Sequence, residues 1–378
     1  MYSKKILISC ICVVGLFAAL HVSPAAAQEN VIENPFTPLF RFGVENLPDE
    51  YLLARPEESL IASDTSGNIY LFDEYCVKVY DQDGKPKAIF GGLGEGPGYF
   101  SSSSLWPNAF IFVSERGFLT IGGSSYANVF YPDHTFLKRY YFRSNMAPWQ
   151  SFFSETGYKR ETEHCVYVID ENRRIFRLIA SKTDEVLPED PKDLLVYQNG
   201  DKNTLIAEYD HVTMSGMGEF GPLFFSVLPG ERLIYTHVSF DTRLEGDKGI
   251  YTLNIVDLNT WDKSEISLPF TPRMFNEKQL RPAEEFKYYT PFVFLMNDGD
   301  FVFLWNYIQD ERKITVDVID TKEKRHTCTM ILTEETRATV ADFEAWVFVN
   351  GIAYFLIVPM DEFAYVQVCK IDPAGYGK

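Results

Sequence analysis

A turn glycine followed by an apolar stretch that ends in aspartate recurs along the chain: Gly67 with Asp81, Gly117 with Asp133, Gly157 with Asp170, Gly230 with Asp257, Gly299 with Asp320 and Gly351 with Asp372. The glycines span 284 residues in five steps averaging about 57, a period near that of propellers and solenoids. Recurrence of this kind constrains a fold more than local propensity does, because each unit has to bury its apolar face against the next copy. The clearest unit starts at Ser66-Gly67-Asn68 and runs through Ile69–Asp73 and Cys76–Tyr80. It turns at Asp81-Gln82-Asp83-Gly84 and returns as Lys87–Phe90. A second begins at Gly117, turns at Pro132-Asp133-His134 and returns through Phe136–Phe142. Both read as short antiparallel strands with Asp-Gly or Pro-Asp turn chemistry between them.

These units predict an all-β fold: a six-bladed β-propeller with four-stranded antiparallel blades, the arrangement that leaves only short, protected sheet edges. The 15% aromatic content agrees, since rings lose rotamer freedom against a helical turn but fit a pleated surface. A doubly wound α/β fold lacks its helices, the only candidate being Asn276–Leu280, cut short by Pro282. A two-domain β-sandwich accounts for the strands but not for the recurring offsets, and a seventh blade would have to start at Asn199-Gly200. The polar stretches 182–191 and 241–247 read as loops. After Gly351 only two strand-like runs remain, whereas the segment before Gly67 holds more strand material than the first blade needs. A strand within about residues 36 to 46 is therefore expected to pair with Ala364–Ile371 and close the ring, because an unpaired edge there would expose a row of backbone donors and acceptors.

Residues 1–27 carry Lys4-Lys5, an apolar run from Ile6 to Leu20 and the small residues Ala25-Ala26-Ala27, the three zones of a secretory signal. Cleavage near Ala27 would leave a single propeller domain of residues 28–378, periplasmic or secreted, with no transmembrane segment. A lipoprotein reading anchored at Cys10 competes with this, but it would leave a greasy segment on the mature chain. The net charge of −18 falls to −20 with the signal removed and argues against a nucleic-acid partner. Four cysteines then remain, Cys76, Cys165, Cys328 and Cys369. None is spaced as C-x-x-C, and bridges and free thiols both stay open.

The run Phe90-Gly91-Gly92-Leu93-Gly94-Glu95-Gly96-Pro97-Gly98-Tyr99-Phe100, followed by Trp106-Pro107 and Gly117, resembles the inter-blade signature of NHL-type repeats. It is most similar to the six-bladed, TolB-like propellers that many Gram-negative bacteria export. The resemblance covers residues 60 to 145, and Ser215–Pro222 looks like a degenerate second copy. It implies that the glycine run crosses from the outer strand of one blade to the inner strand of the next. A phosphate-cradling role is not expected, as neither a Gly-Lys-Ser/Thr nor a helix follows.

Catalytic motifs are sparse. Asp81-Gln82-Asp83-Gly84 opens like a calcium loop, but Lys85 and Gly92 stand where an EF-hand needs an oxygen ligand and a bidentate Glu. The mature histidines, His134, His164, His211, His237 and His326, show no metal-ligand spacing, and no G-x-S-x-G is present. Trp106, Tyr126 and Trp149 fall in connections, where exposed rings serve ligand surfaces. Arg160 and His164 lie in a mixed-charge segment beside a blade edge. These five are the candidate ligand-binding residues. The expected function is a non-catalytic, monomeric recognition scaffold for a protein or glycan, with no cofactor. A propeller enzyme of lactonase or lyase type, with calcium or another divalent cation in the central channel, is the alternative that the resemblance implies.

Overall fold

The computed structural model of the chain describes residues 30–44, 47–54, 60–101, 109–123, 125–142, 150–182, 191–211, 223–272, 291–292, 294–308, 313–332, 343–357 and 364–376. Two strands, β1 (Val31–Glu33) and β2 (Phe36–Phe42), precede the blades. The first blade is β3 (Leu60–Ser63), β4 (Ile69–Asp73), β5 (Cys76–Tyr80) and β6 (Pro86–Gly91). The second is β7 (Phe110–Val113), β8 (Leu119–Gly122), β9 (Tyr126–Phe130) and β10 (Phe136–Tyr141). A short helix, α1 (Gln150–Thr156), leads into the third, β11 (Arg160–Val168), β12 (Arg173–Ser181), β13 (Lys192–Asn199) and β14 (Lys202–Asp210). The fourth holds β15 (Leu223–Leu228), β16 (Arg232–His237), β17 (Thr242–Glu245), β18 (Lys248–Asp257) and β19 (Lys263–Phe270). The fifth is β20 (Phe294–Asp298), β21 (Phe301–Ile308), β22 (Lys313–Asp320) and β23 (Arg325–Leu332), and the sixth contains β24 (Phe343–Val349), β25 (Ile352–Ile357) and β26 (Tyr365–Ile371).

Each blade is antiparallel, and the first strands of neighbouring blades touch one another at five of the six seams, so they line the axis of a six-bladed β-propeller. Burial follows from that geometry. Middle strands are covered on both faces by neighbouring blades, and β4, β8 and β9 are buried at every residue. Outer strands have one dry face and keep the period of two: β19 alternates exposed and covered positions along Lys263–Phe270.

The recurring aspartates have one physical role. Asp81, Asp133, Asp170, Asp257, Asp320 and Asp372 each accept, through Oδ1, the backbone N–H two residues on, at 2.8–3.0 Å. They are Asx-turn residues, whose side chain stands in for a backbone acceptor. Five of the six glycines sit in the turn between the first and second strands of their blades, as the period requires. The exception is Gly157, which ends α1 with φ +80° and its N–H on the Phe153 carbonyl. In the third blade the first turn, 169–172, has no glycine, and Gly200 instead joins β13 to β14. Asn199-Gly200 thus belongs to the third blade and starts no seventh. The stretch 241–247 is also more ordered than a loop: β16 bends at 238–241 and continues as β17, both pairing along β18. The candidate helix at Asn276–Leu280 and the second glycine-rich crossover lie outside the described residues.

The ring closes as the strand count requires. β2 pairs antiparallel with β26, from Phe36 opposite Ile371 to Phe42 opposite Val366, and becomes the fourth strand of the sixth blade. β1 adds in parallel to β23, making the fifth blade five-stranded. Phe36 sits edge-on to Phe355 at 5.0 Å, and Phe42 packs on Tyr80 of the first blade at 4.8 Å. Gly84 in the first blade's Asp-Gly turn has φ +76°, and a Cβ there would lie 2.7 Å from the Phe42 ring. No disulfide joins Cys76, Cys165, Cys328 and Cys369, and burial pushes the thiols of Cys328 and Cys369 up to about 12. Among the described residues no helix is long and apolar enough to cross a membrane.

The closure defines a mutational contrast. Phe42→Ala removes a buried ring from the first blade's seam and is expected to destabilise by about 3–5 kcal/mol, whereas Leu39→Ala, 51% exposed on the same strand, should stay within about 0.5 kcal/mol. Gly84→Ala meets both a forbidden φ and the Phe42 ring and should cost about 2 kcal/mol or more. Urea unfolding followed by tryptophan fluorescence ranks the three, and equal midpoints for Phe42→Ala and Leu39→Ala would contradict the closure.

Candidate functional site

In an antiparallel meander alternate turns lie at opposite ends, so the first and third turns of every blade share one face of the ring. On that face the third turn of the fourth blade, 257–262, stands between two clefts. The larger, about 510 Å³, opens toward the third blade and is lined by Arg173, Tyr197, Asn199, Lys202, Thr204, Leu258, Asn259 and Trp261. Its third-blade wall comes from β12, β13 and β14, and its other wall is the turn itself.

The turn is held tightly. Asp257 Oδ1 accepts the N–H groups of Asn259 and Thr260 at 2.8 and 3.0 Å, and these hold its carboxyl below the ordinary carboxylate range. The Trp261 N–H donates to the Asp257 carbonyl at 2.8 Å, and the Asp257 N–H donates to the Asp262 carbonyl at 3.0 Å. The Thr260 hydroxyl donates to Asp262 Oδ2 at 2.8 Å. Two links tie the turn to the fourth blade's first turn: Leu258 N–H to the Glu231 carbonyl at 3.1 Å and Asn259 Nδ2 to the Gly230 carbonyl at 3.3 Å. Within this frame Trp261 adopts φ +67°, a conformation that a bulky side chain takes only when its surroundings impose it. Its indole meets the Tyr197 ring edge-on at 5.4 Å and remains 39% exposed.

The cleft floor is electrostatically fixed. Arg173 donates through Nε to Asp170 Oδ2 and through Nη2 to Glu231 Oε1, both at 2.7 Å, and Arg116 adds an Nη2 bond to the same Glu231 oxygen at 2.7 Å. Hydrogen bonds from Arg173 hold the Glu231 carboxyl below its ordinary value despite partial burial, and burial raises the Tyr197 phenol although Arg173 opposes it. This network links the first turns of the second, third and fourth blades and leaves Arg173 immobilised. By contrast, Asn199, Lys202 and Thr204 engage no other side chain among the described residues, so their polar groups are available to a ligand.

A second polar cluster lies on the opposite face, where the third and fourth blades meet. Asp193, 1% exposed, lies 3.2 Å from His211 Nδ1 through either oxygen and 3.1 Å from His237 Nε2. His237 Nδ1 faces the N–H groups of Ser239 and Phe240 at 3.3 and 3.4 Å, so the network assigns the proton to Nε2, which donates to Asp193. Asp241 Oδ2 accepts from Tyr209, the His237 N–H and Asn254 at 2.9, 2.7 and 3.1 Å. These groups satisfy one another and fasten the bend between β16 and β17 to the third blade. Burial opposes ionisation of Asp193, but hydrogen bonds from the two histidines outweigh it and lower its carboxyl. At Asp241 burial wins and the carboxyl is raised.

Of the five residues singled out from the sequence, only Tyr126 has a described side chain, and it does not line this cleft. Tyr126 does not lie in a connection. It opens β9 and is buried, its hydroxyl accepting the Ser101 N–H at 2.8 Å and its ring carrying the Arg139 guanidinium at 4.1 Å. It anchors the glycine-rich crossover, which runs from β6 to β7 as expected. Within that crossover Gly92, at φ +130°, lies under the Tyr99 ring where a Cβ would come within 3.2 Å. Arg160 and His164 lie along the backbone of β11, an axis-lining strand, and their side chains are outside the described residues. Trp106 and Trp149 also lie outside them. Among the described residues no three His, Cys, Asp or Glu side chains gather so as to hold a metal ion.

No protein-family model matches the chain, and no curated protein matches it. Solved structures are similar at the level of the fold. The calcium-binding protein regucalcin from Agrobacterium tumefaciens is 9% identical with TM-score 0.40, covering 90% of this chain and 96% of its own. Kuenenia stuttgartiensis hydrazine synthase is 10% identical with TM-score 0.35, covering 82% of each chain. A protein of unknown function from Bacteroides caccae is 10% identical with TM-score 0.32, covering 72% of this chain and 85% of its own. Likenesses this distant carry no argument about activity.

The buried joint yields a pH prediction. A lowered carboxyl contributes stability that is complete above its ordinary value, about 4, and is lost as pH falls through that value toward the lowered one. Asp193→Asn should therefore cost about 1.5–3 kcal/mol at pH 7, and its deficit against the native protein should shrink below about pH 4. Chemical denaturation at pH 7 measures the cost, and the pair pH 5 and pH 3, both below the range in which histidine ordinarily titrates, measures the loss; a deficit that grows from pH 5 to pH 3 would reverse the assignment.

Proposed function

We propose that the protein is an exported, non-catalytic binding scaffold of the NHL/TolB-like propeller kind, and that its ligand is a glycan taken up in the cleft between the third and fourth blades. The observation that carries this reading is Trp261: a large ring held in a strained conformation by its turn, more than a third exposed, at the rim of a cleft of about 510 Å³. A sugar ring has apolar C–H faces and a polar perimeter, so it needs an aromatic platform with hydroxyl-binding groups around it. Trp261 and Tyr197 supply the first, and Asn199, Thr204, Asn259 and Lys202 the second. Preformed rigidity lowers the ordering cost of binding, which suits a scaffold. Export follows from the signal-like zones of residues 1–27, and the −18 charge suits a ligand other than nucleic acid. A monomer is the working state.

A glycan array probed with the purified protein tests the reading. Binding to at least one oligosaccharide class is expected, with Trp261→Ala reducing affinity at least tenfold while the melting temperature changes by no more than a few degrees, since the ring is on the rim. Capture of a protein partner that is indifferent to Trp261→Ala, with no glycan bound, would replace the glycan by a protein ligand.

A further inference from the structure

The turn that presents Trp261 has a second cleft on its other side, and its chemistry differs. This cleft, about 330 Å³, opens toward the fifth blade and is lined by Arg232, Lys263, Ser264, Thr321, Lys322 and Lys324, with Ile255, Asp257 and Asp262. Four cations surrounding one small cleft are unexpected in a chain of net charge −18. Two of them are used internally: Arg232 Nη2 and Lys322 Nζ both contact Asp300, the latter at 2.5 Å. The two lining carboxylates are used as well, Asp257 by the turn's N–H groups and Asp262 by the Thr260 hydroxyl. The ammonium groups of Lys263 and Lys324 have no ion pair or hydrogen bond among the described residues, and neither does the Ser264 hydroxyl. The remainder is two unpaired ammonium groups and a hydroxyl, converging from the fourth and fifth blades.

We infer that this cleft is a subsite for an anionic substituent of the same glycan, so that the ligand is an acidic oligosaccharide lying across the tip of the fourth blade, its ring on Trp261 and its carboxylate or sulfate ester on Lys263 and Lys324. The inference rests on the proposed glycan reading of the Trp261 cleft and names the ligand's charge class. Only the hairpin turn 257–263 separates the two clefts, Leu258, Asn259 and Trp261 facing one and Asp257, Asp262 and Lys263 the other. Paired strands are about 5 Å apart, so a single hairpin is narrow enough for an oligosaccharide to cross, whereas a monosaccharide would fill one side only. Lysine suits the task because its ammonium is a point charge that takes either a carboxylate or a sulfate without demanding bidentate geometry. The turn's own carboxylates disfavour an anion bound too close to the tip, which directs the charged group outward to the lysine pair.

The test is affinity electrophoresis in gels holding polygalacturonate, its methyl ester, chondroitin 4-sulfate or desulfated chondroitin, each charged polymer paired with its neutralised or less charged counterpart. The native protein should be retarded at least tenfold more strongly by one charged polymer than by its counterpart, with the preference shrinking in high salt. Which pair discriminates distinguishes carboxylate from sulfate. Lys263→Gln with Lys324→Gln should abolish the preference while preserving the retardation by the counterpart that Trp261→Ala removes. An undiminished preference in the double-lysine variant would overturn the acidic subsite and leave the glycan reading standing. Retardation that Trp261→Ala leaves unchanged would overturn the glycan reading, and a native protein retarded by none of the four polymers and bound by no acidic glycan on the array would overturn the subsite.

Discussion

The pairing of β2 with β26 is the contact on which the rest of the ring depends. A propeller blade is stable because neighbours cover both of its faces, and a ring left open would expose an apolar face at each end and an unpaired edge on the last blade. The sixth blade takes its outer strand from the chain's beginning, so the seam between first and last blades is spanned by continuous backbone rather than by side-chain contact alone. Phe42 then enters the first blade against Tyr80, over a turn that only Gly84 allows to come so close. β1 extends the same fastening one blade further, along β23.

A closed ring fixes where turns can go. Because every blade is an antiparallel meander, the aspartate-led third turns are gathered on one face, and each is rigidified by its own carboxylate. At the fourth blade this rigidity presents Trp261 in a conformation that a mobile loop would relax. The Arg116, Arg173, Asp170 and Glu231 network holds the neighbouring first turns in register, so the cleft walls belong to one stiff unit. On the opposite face, the Asp193 joint with His211 and His237 binds the same two blades together, so both ends of the third-to-fourth blade seam are pinned by hydrogen-bonded polar networks. A seam pinned at both ends can keep an open cleft between its blades without closing over it.

The acidity of the chain takes on a structural meaning in this frame. Many carboxylates are consumed as turn acceptors, which leaves them hydrogen-bonded locally rather than free to gather round a cation. Positive charge is scarcer, and Lys263 and Lys324 beside the fourth blade's tip, like Lys202 in the neighbouring cleft, have no side-chain partner among the described residues.

The blade period, the six-fold count, the crossover role of the glycine run and the closing strand were all legible in the sequence. They depend on local chemistry that repeats: Asx turns, positive-φ glycines and alternating apolar strands. Gly157 misled because a helix end and a blade turn both call for a left-handed residue, and position alone does not separate them. The site was less legible. Trp261 sits four residues after a turn aspartate, a visible signal, whereas Trp106, Tyr126 and Trp149 stand out in the sequence because rings in long connections look exposed. Whether a ring is buried, as Tyr126 is beneath Arg139, or stands at the rim of a cleft, as Trp261 does, depends on how two blades pack side by side. That packing joins β13 and β14 to a turn about 60 residues on in the chain, and a pattern confined to each repeat cannot carry it.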